Sequence, residues 1–75
     1  FNPTTNISFS VSKSTSVKLA VYDILGKQIQ VIVNTSLNPG SYTYSFNGAK
    51  LSSGTYFYRL ETPDFIQQKK MTLIK

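Results

Sequence analysis

Ser10 and Lys13, in the stretch SVSK, are the pair whose types and spacing best match a nucleophile beside an activating amine. That S-x-x-K pattern works on a helix, where one turn brings the lysine back beside the serine. Here it closes a run of alternating residues, and on a strand positions three apart point to opposite faces. Neither S-D-N nor K-T-G follows, so the pair reads as coincidence. Asp23, Glu61 and Asp64 are the only carboxylates, and they do not stand at the spacing of a calcium loop. The chain has no histidine and no cysteine, which removes the usual general base, the thiolate nucleophile and the soft metal ligands together. Gly26, Gly40, Gly48 and Gly54 compose no phosphate-cradling loop. No catalytic residue, metal site or cofactor is expected.

Binding remains. Eight Lys and Arg against three Asp and Glu give a net charge of +5, which favours anionic partners. The cations are spread along the chain, and only Lys69, Lys70 and Lys75 gather in a segment without an acid. A nucleic-acid platform would need exposed rings interleaved with cations, but Tyr56 and Tyr58 share the face of Leu60 and leave only Phe57 outward. The stretch SGTYFYRL also lacks the basic-Gly-aromatic order of the RNA-binding sheet, so a nucleic-acid partner is not expected. Runs such as LAVY and VIV fall far below the ~20 apolar residues of a transmembrane helix, and no transmembrane segment is expected.

The elements that would position these groups are strands, because apolar residues recur with period two and no helical period is sustained. Ile7, Phe9 and Val11 share one face, as do Val17, Leu19 and Val21, then Tyr42, Tyr44 and Phe46, then Tyr56, Tyr58 and Leu60. Ile29, Val31 and Val33 make a further set, which Ile32 interrupts and so marks as a bulge or an edge. Turn chemistry falls between the runs. Asp23 and Gly26 suit a tight hairpin with a bulge. Pro39 and Gly40 fit the centre of a type II turn. Pro63 and Asp64 turn the chain into a last strand whose register sets Thr62 against Phe65 and Tyr56 against Met71, with Met71 and Leu73 inward. Short strands at this spacing predict an all-β fold, a sandwich or barrel. Lysine at Lys69 and Lys70 also suits an edge strand, where charge discourages aggregation.

Taken together, "FNPTTNISFSV", "VYDILGK", "NPGSYTYSFNG", "LSSGTYFYRLET" and "KKMTLIK", in this order, resemble the C-terminal sorting domain of the type IX secretion system of the Bacteroidetes and related bacteria. The immunoglobulin-like domain of flagellar hook-capping proteins is similar in VYD…G and GTYFY; the basic-apolar ending separates the two. The resemblance implies an immunoglobulin-like antiparallel β-sandwich of six or seven strands, a single domain over residues 1–75 at the end of a larger secreted protein. It implies a non-catalytic address: an upstream signal exports the N-terminal passenger to the periplasm, an outer-membrane translocon recognises the domain, and a surface sortase often removes it. The residues that match the family's signal are the strand Lys69, Lys70, Met71, Leu73, Ile74 and Lys75, with Gly26, Gly40, Tyr42, Gly54, Tyr56 and Tyr58 as motif and structural positions. The opening FNP reads as the interior of a longer chain, and Asn2-Pro3 lies near the expected cleavage site. The alternative is a structural or carbohydrate-binding accessory module using Phe57 and Phe65.

Overall fold

Period-two alternation becomes six strands in the computed structural model, which describes residues 3–74. These are β1 (Thr4–Val11), β2 (Thr15–Asp23), β3 (Gln28–Leu37), β4 (Gly40–Asn47), β5 (Gly54–Glu61) and β6 (Ile66–Leu73). All pairings are antiparallel: β1 and β4 form one sheet, and β3-β2-β5-β6 form the other. The chain is therefore all-β, and six strands, the lower expected number, stand among the described residues.

The core lies between the two sheets. Ile7 and Phe46 from the smaller sheet meet Val17, Leu19, Val21, Tyr56, Leu60 and Leu73 from the larger one. The opposite face of the smaller sheet is a ladder of polar cross-strand pairs: Ser45 donates to Asn6 Oδ1 at 3.1 Å and Ser8 shares a hydrogen bond with Thr43 at 3.0 Å. Such pairs stabilise a solvated face while leaving nothing apolar exposed. Strand β2, inside the four-stranded sheet, is buried on both faces, since Ala20 and Tyr22 on the outer face are buried as well as Val17, Leu19 and Val21 on the inner one. Part of that outer cover is Arg59, whose guanidinium carbon lies 4.4 Å from the centre of the Tyr22 ring.

Two expectations are corrected. The bulge expected at Ile32 is present, and a second falls at Ile29, because the β2–β3 register shifts between Leu19 and Ala20 and again between Val21 and Tyr22. These extra residues reset the alternation, so Ile32 turns onto the core while Val31, expected inward, is exposed. Pro39 and Gly40 do not centre a type II turn. Gly40 has φ +152°, far from the ~+80° of that turn, and already belongs to β4. Asn38 and Pro39 carry the chain from one sheet to the other.

Candidate functional site

The terminal strand β6 takes shape from the hairpin that precedes it. In the turn, Thr62 N–H donates to the Phe65 carbonyl at 2.9 Å, and the Thr62 hydroxyl accepts from the backbone of Asp64 and Phe65. β6 then pairs with β5 over eight consecutive positions, Glu61↔Ile66 to Gly54↔Leu73, with Tyr56 against Met71 as the sequence predicted. Among the described residues it is the outermost strand of its sheet, with β5 on one side and no strand on the other. Leu73, 1% exposed, anchors it in the core, and Met71 packs against the same cluster. Lys69 and Lys70 are exposed, and Ile74 follows them into solvent. Lys75, expected in this set, and Asn2 of the opening motif lie outside the described residues.

The electrostatics of the strand follow from where the three acids are spent. Asp23 Oδ1 accepts the N–H groups of Leu25 and Lys27, both at 2.9 Å. Asp64 pairs with Lys13 at 2.9 Å, and Glu61 lies 3.9 Å from the Arg59 guanidinium. Arg59 Nε and Nη2 both donate to Gln68 at 3.2 Å, tying β5 to β6 on the outer face. Among the described residues, no carboxylate is within ion-pair distance of Lys69 or Lys70. The strand therefore offers two unneutralised cations and a row of backbone donors and acceptors, the material for pairing with another sheet edge that carries negative charge.

The motif glycines and tyrosines form a separate device that the sequence pattern contained but did not announce. Gly40 and Gly54 open their strands at φ +152° and +153°, a region open essentially to glycine alone. Two residues on in each case, a tyrosine hydroxyl donates to the carbonyl four residues upstream, Tyr42 to Asn38 at 2.5 Å and Tyr56 to Ser52 at 2.6 Å. The recurrence of G-x-Y was the available signal. The two rings differ in environment: Tyr56 is in the buried core, whereas Tyr42 is half-buried and stacks on Phe9 with centroids 5.7 Å apart. Tyr58 is half-buried against the core, and Gly26 closes the β2–β3 turn at φ +85°. None of these six contributes to the exposed side of β6.

Rings for a glycan platform are not brought together. Phe57 is half-buried next to Tyr22, whereas Phe65 sits in the β5–β6 turn at the mouth of a 170 Å³ cleft, some five residues or ~16 Å farther along the strand. Among the described residues there is no group of three or more acids that would hold a metal ion, and no helix long and apolar enough to cross a membrane.

Comparison with known families matches residues 2–75 to the model described as "Secretion system C-terminal sorting domain". Neither curated proteins nor solved structures give a match.

Proposed function

From the premise that this chain belongs to the family of type IX secretion C-terminal sorting domains, we propose that β6 and the residues after it are the part of the address that the outer-membrane translocon reads. A sorting tail is fused behind a passenger and directs its export toward the cell surface. The finer steps belong to this proposal: passage of the passenger through the periplasm and outer membrane, then removal of the tail by a surface sortase. So does the immunoglobulin-like character of the sandwich, and so does the absence of catalysis by the tail itself.

One observation carries the reading. β6 is an unbroken eight-residue edge with Lys69 and Lys70 exposed and unneutralised, held in place by Leu73. A receptor strand adding to this edge would gain main-chain hydrogen bonds for affinity and the two lysines for register. The glycines and tyrosines shape the strand entries and act only through the fold.

The test fuses residues 1–75 to a periplasmic reporter in a bacterium with the secretion machinery. Lys69→Glu/Lys70→Glu leaves every core side chain in place, so surface delivery should fall while the reporter accumulates, folded, in the periplasm. Delivery at the level of the unaltered tail would place the address elsewhere.

A further inference from the structure

The β2–β3 turn presents two branched aliphatic side chains to water. Ile24 is 69% exposed and Leu25 90%, and the turn that displays them is held by three hydrogen bonds to Asp23, from Leu25 and Lys27 to its carboxylate and from Gly26 to its carbonyl. A turn of this kind needs only Asp and Gly for its geometry, so the apolar residues between them have no folding role that a polar pair would not fill.

The surroundings of the tip are basic. Lys27 follows it directly and is exposed. Lys50, in the β4–β5 connection, lines a cleft with Ile29 and Gln30 at the start of β3, on the same end of the molecule. Behind the tip a 240 Å³ cleft is walled by Ile24, Leu25, Phe57 and Arg59. Two strands away across the sheet, ~10 Å, β6 ends at the same level and leaves Ile74 62% exposed. Asp23 is the only acid at this end among the described residues, and its carboxylate is engaged in the turn; Glu61 and Asp64 lie at the opposite end.

We propose that this end of the molecule docks on an anionic lipid bilayer surface, with Ile24 and Leu25 entering the interface and Lys27 and Lys50 facing the headgroups. Chemistry favours a bilayer over a protein socket. The longest strand, ten residues or ~33 Å, fits only the 37 Å axis, so the tip caps one end of the molecule. Its apolar apex is two aliphatic side chains with no aromatic anchor, and the one acid beside it is engaged in its own turn. Interfacial docking asks no more, since a few inserted apolar side chains and a few cations beside them are sufficient. The inference does not rest on β6 as the address, and its test uses no secretion machinery.

The 75-residue chain is sedimented with phosphatidylcholine–phosphatidylglycerol vesicles and, separately, with vesicles of phosphatidylcholine alone. It should bind the anionic vesicles and bind the neutral ones at least about fivefold more weakly. Leu25→Asp, at a site with no buried contact, should keep its circular dichroism and lose about tenfold or more in binding. Lys27→Gln/Lys50→Gln should weaken binding about fivefold or more, with the remainder falling as salt rises. A chain that ignores anionic vesicles, a Leu25→Asp variant that binds as well as the unaltered chain, or equal binding to both vesicle types overturns the proposal and leaves the tip to a protein partner.

Discussion

Tyr42 and Tyr56 carry the same hydroxyl contact at two strand entries, yet only one of them stands in the core, which makes their contributions separable. For Tyr56, truncation to alanine removes a buried ring and should cost about 3 to 5 kcal/mol. Against a total of roughly 4 to 11 kcal/mol for a chain of this length, that is enough to bring it near unfolding. Tyr56→Phe keeps the ring and loses only the bond to Ser52, so about 1 kcal/mol is expected, and less for Tyr42→Phe, whose bond is exposed. Urea unfolding of the three variants, read as midpoints at constant slope, separates ring from hydroxyl. The adjacent glycine tests the backbone half of the device. A Cβ at Gly54 would meet nothing within 4 Å, so any loss in Gly54→Ala comes from its φ of +153° and not from a clash. A loss of about 1 to 3 kcal/mol is expected. A neutral Gly54→Ala would show that the strand can enter without glycine.

At the scale of elements, local rules were legible and long-range ones were not. The β5–β6 hairpin was readable to the residue, because Pro63 and Asp64 fix the loop and a period of two then fixes every pair beyond it. The Asp23–Gly26 turn was readable for the same reason: side-chain acceptor and positive-φ position lie within four residues of each other. Asp23→Ala should cost about 1 kcal/mol, since the two freed N–H groups reach water, and thermal unfolding would register it as a few degrees. The Pro39-Gly40 step misled because turn residues encode an angle and not a destination, and a chain that crosses between sheets uses the same two amino acids as one that folds back. In β3 a single apolar residue out of phase announced the bulge at Ile32, but not that this bulge carries Val31 to the outer face opposite Ala20, and the second bulge, at Ile29, left no trace in composition. The candidate site divides likewise. That β6 holds Met71 and Leu73 inward followed from alternation, whereas the absence of acids around Lys69 and Lys70 depended on where Asp23, Glu61 and Asp64 ended up.

Across the whole molecule, the two edges of the four-stranded sheet are guarded in different ways, and the difference isolates what the lysines contribute. β3 has two bulges, which disrupt its ladder and spoil it as a template for another chain. β6 has none: its eight pairs with β5 are continuous, and its outer edge is as regular as its inner one. Lys69 and Lys70 therefore serve a second purpose whatever reads them, holding identical edges apart by like charge until a complementary one arrives. Replacing both with valine removes two of the eight positive charges and adds β-branched apolar side chains to a flat edge. Sedimentation velocity of Lys69→Val/Lys70→Val should show association that grows with concentration and is insensitive to salt. Lys69→Gln/Lys70→Gln, polar but uncharged, should associate less than the valine variant and more than the unaltered chain. If all three sediment alike up to high concentration, the edge is closed by something other than charge, and strand addition at β6 loses its physical basis.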